Sequence, residues 1–325
     1  MRKGLLAAGA VGVLALAGCS DGGRDKSEPD GSGGGNAAGS SGYTIAFVTH
    51  ETPGDTFWDK VRAGAEQAAK DEGVTLKYSN DPDAGKQAGL IQSAVDAKVD
   101  GIATTLVTPD ALAGAVRAAG AAGIPVVGLN AGLDQYQKLG ALMYFGSDEF
   151  VAGASLGKRI AGEGAKHPLC VIHQTGSVAL EARCAGVKSA VPGTENLQVN
   201  GADDSAVTTT LQAKLAQDTS IDYVVTLGAP IALDAINAKQ QASSSAKLVT
   251  FDLNQEMAER IKDGQVEFAI DQQPYVQGYM AVTSLYLYLK NGNDIGGGRA
   301  VLTGPSFVDR SNIDKILPFT GKNTR

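Results

Sequence analysis

Three histidines, three cysteines and a single tryptophan in 325 residues leave little material for metal or redox chemistry. No C-x-x-C or H-x-x-x-H pair occurs, so the spacings that hold structural or catalytic zinc are missing, and neither a metal nor a cofactor is expected. No run is rich in lysine or arginine, which argues against nucleic acid and anionic headgroups as partners. With 28 basic against 35 acidic residues, the formal charge is −7. No apolar stretch reaches the ~20 residues that a membrane-spanning helix needs. One pattern associated with hydrolases is present, Gly153-Ala154-Ser155-Leu156-Gly157. It lies inside a helical stretch rather than at a strand-to-helix elbow, and only His167 and His173 follow it. No catalytic constellation is recognisable, and the chain reads as a protein that is not an enzyme.

What is present begins at the amino terminus. Met1-Arg2-Lys3, a small and apolar run from Leu5 to Ala17, and then Gly18-Cys19 form the segments of a secretory signal. Leu16-Ala17-Gly18-Cys19 resembles the lipobox of bacterial lipoproteins, which implies that residues 1–19 are a signal peptide ending on a lipidated Cys19. Residues 20–42 are almost entirely Gly, Ser, Asp, Asn, Ala and Lys, cannot bury a core, and read as a flexible tether. Anchor and tether together would hold an exported domain at the outer face of the cytoplasmic membrane, at a cell surface or in a periplasm, with the lipid as its only membrane contact. Export to an oxidising compartment makes Cys170 and Cys184 a candidate disulfide, the alternative being two buried thiols.

From Tyr43 onward, short apolar runs alternate with amphipathic stretches of helical length. The strand candidates are 44–48, 74–78, 101–106, 125–129, 142–146, 169–173, 196–200, 222–227, 246–251 and 266–270. Continuous Val/Ile/Leu runs between helices predict parallel sheets covered on both faces. Thr108-Pro109 marks a helix start, and Gly123 with Pro125 marks a helix stop and a strand entry. The pattern changes near 145–148 and again near 271–275. The predicted fold is therefore α/β, with two doubly wound parallel-sheet lobes joined by a hinge of crossover strands. The first lobe would take 43–145 with about 274–299, and the second 146–273 with about 300–325.

Four segments, in this order, carry a family resemblance: IAFVTHETPGDTFWDKVRAGAEQAAKDEG, VDGIATTLVTPDALAGAVRAAGAAGIPVVGLN, ALEARCAGVKSAV and LVTFDLNQEMAERIKDGQVEFAIDQQPYVQGYMAV. Over nearly all of 43–310 the chain resembles type I periplasmic binding proteins, the ribose/galactose-type sugar-binding components of ABC importers. Within them it is similar to the general sugar-binding lipoproteins, in which a cysteine pair like Cys170/Cys184 also occurs. The resemblance implies a monomer that binds one small sugar or polyol between its lobes, closes over it, and delivers it to the permease subunits of an ABC importer. Two alternatives stay open: a sensor that presents the closed form to a chemoreceptor or sensor kinase, and a binder of a non-sugar solute.

Ligands of open α/β sheets sit beyond the carboxyl ends of the strands. That places His50 and Asp55 after the first strand, Asn130 after the fourth, Asp252 after LVTF and Gln272 after EFAID, with Arg183 early in a following helix. A sugar ring has an apolar face and a rim of hydroxyls, suited to flat aromatics and to planar polar groups respectively. Phe57 and Trp58 fall where the family stacks aromatics on the ring, and Arg183, Asp252 and Gln272 where it keeps hydroxyl partners. Each has a structural alternative: core packing for Phe57 and Trp58, a helix cap or ion pair for Asp252, and a surface pair with Glu181 or Asp204 for Arg183. His50 and Asp55 fit either a rim contact or a solvated turn. Two departures stand out. Ribose and galactose binders usually carry Asp-Arg where this chain has Asn130-Ala131, and many carry Asn-Asp where it has Gly228-Ala229. Both remove charged hydroxyl partners, so a pentose, a tetritol or another polyol fits as well as a hexose.

Overall fold

The computed structural model describes residues 40–325. Cys19, the signal segment and residues 20–39 of the expected tether lie outside the described residues. The end of that tether is not free. Ser41 donates from its backbone N–H (2.8 Å) and its hydroxyl (2.9 Å) to the Gly73 carbonyl, so the folded part begins before Tyr43.

The first series runs β1 (Thr44–Thr49), α1 (Phe57–Glu72), β2 (Thr75–Asn80), α2 (Ala84–Asp96), β3 (Gly101–Thr105), α3 (Pro109–Ala121), β4 (Val126–Asn130), α4 (Tyr136–Leu139) and β5 (Met143–Gly146). The second runs α5 (Glu149–Gly162), β6 (Pro168–Ile172), α6 (Val178–Ala190), β7 (Glu195–Gln198), α7 (Asp204–Gln217), β8 (Tyr223–Thr226), α8 (Ala229–Gln241), β9 (Lys247–Phe251), α9 (Gln255–Lys262) and β10 (Phe268–Asp271). The chain then returns through α10 (Pro274–Asn291) and β11 (Val301–Leu302), and ends with β12 (Ser306–Asp309) and α11 (Ile313–Thr320). Two six-stranded sheets result, ordered β11-β5-β4-β3-β1-β2 and β12-β10-β9-β8-β6-β7, parallel throughout except for the antiparallel β10–β12 pair.

Side chains alternate across each strand, and both faces are apolar. In β1, Ile45 and Phe47 join a core with α1 and α10, whereas Ala46 and Val48 join one with α2 and α3. In β6, Leu169 and Val171 face α7 and α8, whereas Cys170 and Ile172 face α5 and α6. Glycines set how closely two helix pairs approach. A Cβ on Gly64 of α1 would overlap the Tyr275 carbonyl of α10, and one on Gly278 of α10 would overlap the Val61 carbonyl of α1. Gly153 of α5 and Gly186 of α6 meet the Arg183 and Phe150 carbonyls in the same reciprocal way. The G-x-S-x-G pattern is therefore a helix-packing feature. Its Ser155 hydroxyl is spent on the Val151 carbonyl one turn back, at 2.7 Å.

The chain crosses between sheets three times: from β5 to α5, from β10 to α10, and from β11 to β12. The last crossing corrects the expected boundary near 299–300. Val301 and Leu302 still pair with Phe145 and Gly146 in the first sheet, and the second sheet is regained only at Ser306. A two-residue strand carries too little periodicity to be read from sequence. Among the described residues no helix is long and apolar enough to cross a membrane.

Candidate functional site

In each sheet the strand order reverses once, between β1 and β3 in the first and between β6 and β8 in the second. Such switch points open crevices at the carboxyl ends of the strands. Here the two crevices face each other and enclose a cavity of about 690 Å³. All eight residues singled out above line it: His50, Asp55, Phe57, Trp58, Asn130, Arg183, Asp252 and Gln272. Beside the cavity the lobes touch at two places. Val107 and Ala131 of the first lobe pack on Ala179 of the second, where the Val178 N–H lies 3.4 Å from the Val107 carbonyl. Elsewhere the Asn254 amide donates to the Thr56 hydroxyl at 3.3 Å. Ala131 is fully buried in the first of these contacts.

Phe57 and Trp58 open α1. Its capping Thr56 makes no side-chain cap, and Asp55 accepts from the Phe57 N–H at 3.0 Å instead. The two rings meet edge to face at 5.0 Å, and Trp58 meets the His50 ring in the same manner at 4.8 Å. At 7% and 3% exposure they pack into the first lobe's core as well as lining the cavity, so one position serves both roles.

Asn130 ends β4 and Asp252 follows β9, the equivalent strand of the other lobe, and both adopt left-handed backbones, with φ of 64° and 66°. Such conformations cost non-glycine residues about 1–3 kcal/mol and persist where surrounding contacts hold them. The contact here is a side-chain relay across the hinge. Asn130 donates to Gln272 at 3.3 Å, and Gln272 donates to Asp252 at 2.9 Å, while Gln277 donates to the same Gln272 oxygen at 3.0 Å. Asp252 caps no helix; the cap of α9 is Asn254.

Arg183 is not a surface residue. Its Nε donates to Glu149 at 2.6 Å and its Nη1 to the Leu227 carbonyl at 3.0 Å, with Asp252 at 3.8 Å and the Phe251 ring under the guanidinium at 4.5 Å. Neither Glu181 nor Asp204 is its partner. The disulfide between Cys170 of β6 and Cys184 of α6, with Cα atoms 5.8 Å apart, fixes the helix that carries it.

The charges of the site are strongly modulated by burial. Burial alone would discourage the Arg183 cation, but Glu149 and Asp252 outweigh it and hold its pKa above the ordinary value. Burial raises Asp252 to about 7 despite the nearby Arg183 and Gln272. Burial also raises Asp55. His50 is pushed down to about 3 by burial and by His173, and His173 to about 4 by burial and by Arg183. The cavity is therefore lined by neutral imidazoles, weakened carboxylates and one compensated cation, which suits a neutral polar ligand.

Sequence reasoning missed Glu149, Thr105, Gln277 and His173. Glu149 opens α5 as acidic residues commonly do, Gln277 lies within α10, and Thr105 ends β3, so nothing in the local pattern sets them apart. His173 carried a legible signal, since it follows β6 as His50 follows β1. A separate group, His167, Glu195 and Asp218, brings one ligand atom each within 4.8 Å of one another. Lys214 already fills it, with Nζ 2.8 Å from Glu195 and 3.6 Å from Asp218.

Known proteins share this architecture. A carbohydrate transporter from Acidothermus cellulolyticus, solved in complex with myo-inositol, is 57% identical; the match spans 87% of this chain and 99% of that one, with a TM-score of 0.86. An ABC transporter solute-binding protein from Agrobacterium vitis, bound with α-D-tagatopyranose, is 26% identical over 86% of this chain and 99% of its own, with a TM-score of 0.75. The xylose/arabinose-binding protein of Sulfolobus acidocaldarius is 25% identical over 296 residues, which is 85% of this chain and 73% of that protein. Residues 45–294 match the periplasmic binding protein domain, and the chain belongs to that family of solute-binding transport proteins.

Proposed function

We propose that this protein is the extracytoplasmic solute-capturing component of an ABC importer, and that it encloses a neutral ring polyol, with myo-inositol the first candidate. The observation that carries this reading is the cavity itself, lined from both lobes and flanked by contacts between them. Its volume suits one small molecule. The ligand class is supported by the likeness to the myo-inositol-bound transporter, at 57% identity.

In this reading Phe57 and Trp58 pack on the C–H face of the ring. His50, Asp55, Asn130, Arg183, Asp252 and Gln272 satisfy hydroxyls. The lobes close as the ligand contacts both, and the closed form is what the permease subunits recognise. The protein acts as a monomer, exported and held at the membrane through a lipid on Cys19.

Thermal unfolding of the purified full chain, with Trp58 fluorescence in parallel, tests this. The panel is myo-inositol, xylose, arabinose, galactose and a set of amino acids. A ligand at one hundred times its Kd adds about 2.7 kcal/mol of stability, which for a chain of this size raises Tm by roughly 4–5 °C. That shift with a ring polyol, together with a change in emission, is the expected result. A flat response to all neutral ring polyols, or a shift with amino acids alone, would overturn the reading.

A further inference from the structure

The two sheets are wound alike, so the residue after β1 in one lobe corresponds to the residue after β6 in the other. Both are histidines, and His50 and His173 each line the cavity at the switch point of their sheet. The surroundings of each ring fix which nitrogen is available. His50 Nδ1 lies 2.8 Å from the Thr105 hydroxyl, which also accepts from the Gln87 amide at 3.0 Å. Thr105 therefore holds Nδ1 of the His50 ring and leaves Nε2 as the nitrogen turned away from that contact.

His173 is seated differently. Its carbonyl accepts from the Gly201 N–H at 3.0 Å, continuing the β6–β7 ladder. A Cβ on Gly201 would come within 2.8 Å of that carbonyl and 2.9 Å of the His173 Cβ. A Cβ on Gly228 would touch the ring, 3.4 Å from Cε1 and 3.7 Å from Nε2, and any longer side chain there would need the space the imidazole fills. The Nδ1 of His173 is buried without a partner. An orphaned lone pair is tolerated better than an orphaned N–H, so the proton of this ring sits on Nε2, beside the cavity wall at Gly228.

We propose that His173 is a specificity-determining residue of the cleft: opposite His50, it donates from Nε2 to one hydroxyl of the bound ring polyol, with Gly201 seating its backbone and Gly228 leaving its ring room. The inference rests on the ligand reading given above. A buried donor left without its acceptor is costly, so a ligand lacking that one hydroxyl is rejected.

Calorimetric titration of the full chain with myo-inositol and its monodeoxy analogues tests this in wild type, His173→Ala, His173→Gln and Gly228→Asn. Wild type is expected to bind one analogue about 10- to 100-fold more weakly than myo-inositol. His173→Ala should lose a similar factor for myo-inositol and cease to distinguish that analogue. His173→Gln keeps an N–H donor and should regain part of both. Gly228→Asn should copy His173→Ala, and carries the comparison if the alanine variant does not fold. A loss of affinity in His173→Ala that leaves the analogue profile of wild type unchanged overturns the role of His173 alone. If wild type binds no neutral ring polyol, the ligand reading falls and this inference falls with it.

Discussion

Glu149→Gln is the sharpest test of how the second lobe holds its half of the site. Glu149 opens α5 and lies 2.6 Å from Arg183 Nε, with the two side chains only 6% and 4% exposed. Removing one partner of a buried ion pair outright costs about 3–5 kcal/mol, because the other charge is left uncompensated. Glutamine keeps the shape and an acceptor oxygen, so only the charge is lost. Asp252 partly replaces it: the carboxylate stands 3.8 Å from Arg183 Nη1, and Glu149 is among the groups that raise its pKa. Without Glu149, Asp252 ionises more readily and takes up some of the pairing. The net loss should therefore fall to about 2–3 kcal/mol, or roughly 3–5 °C in Tm for a chain of this size. Calorimetric melting at pH 7 reads it directly, and ligand affinity should fall as Asp252 is drawn toward Arg183. A Tm within a degree or two of wild type, with unchanged affinity, would refute the argument and leave the Leu227 carbonyl and Asp252 as the groups that orient Arg183. The paired replacement Glu149→Leu with Arg183→Met should restore stability and not binding, since apolar groups of similar size often match a buried ion pair.

Trp58→Ala should cost about 3–5 kcal/mol of stability, because the ring is 3% exposed, and at least about 2 kcal/mol of ligand affinity; intact affinity in the melted-down variant would make Trp58 purely a core residue. Gly278→Ala should destabilise by about 1–3 kcal/mol, since its Cβ would overlap the Val61 carbonyl across the α1–α10 contact, whereas Gly89→Ala on α2, which meets open space, should be neutral or slightly stabilising; equal denaturant midpoints for the two variants would contradict this. Asp252→Asn should steepen the loss of stability in acid. Between pH 6.5 and 4 the unfolded chain protonates His50 and His173 while the folded protein keeps them neutral, so stability falls as pH falls. Asp252 works in the opposite direction, since the folded protein holds its proton up to about 7 and the unfolded chain releases it near 3.8. Removing it should add up to about 1.4 kcal/mol per pH unit to the slope, and an unchanged slope in denaturant melts across that range would show that Asp252 is ionised in the folded protein.

The lobes were legible because parallel strands covered on both faces write themselves as continuous apolar runs, as in Thr44–Val48 and Leu169–Ile172. The rim of the cleft was legible for a related reason. Side chains such as His50, Asn130 and Asp252 come immediately after such runs, and the carboxyl ends of the strands are where a ligand must sit. What could not be read were partners brought together from distant segments. Arg183 is separated by 34 residues from Glu149 and by 69 from Asp252, and the choice between those two and nearby Glu181 or Asp204 depends on which helix α6 packs against. That choice is made by Gly153 and Gly186, whose role appears only when two helices are laid together. Nor does a two-residue strand such as Val301–Leu302 announce itself, because its pairing with β5 is imposed by the sheet rather than by its own sequence.

Each half of the cleft is built as a rigid unit, and this decides how the protein can respond to a ligand. In the second lobe the disulfide ties β6, which leads into His173, to α6, which carries Arg183, and the glycine contact and the Glu149 pair fasten α5 to α6. In the first lobe the His50–Thr105–Gln87 network spans the switch point, and α1 is locked onto α10. Among the described residues the side-chain links between the halves are few: the Asn130–Gln272–Asp252 relay at the hinge with Gln277 joined to it, an amide-to-hydroxyl contact, and a cluster of small apolar groups. So slight a set of contacts gives the closed form little stability of its own. On the proposed reading, a ligand that bridges both lobes supplies the difference, and closure follows occupancy because the occupied cleft adds contacts to both halves.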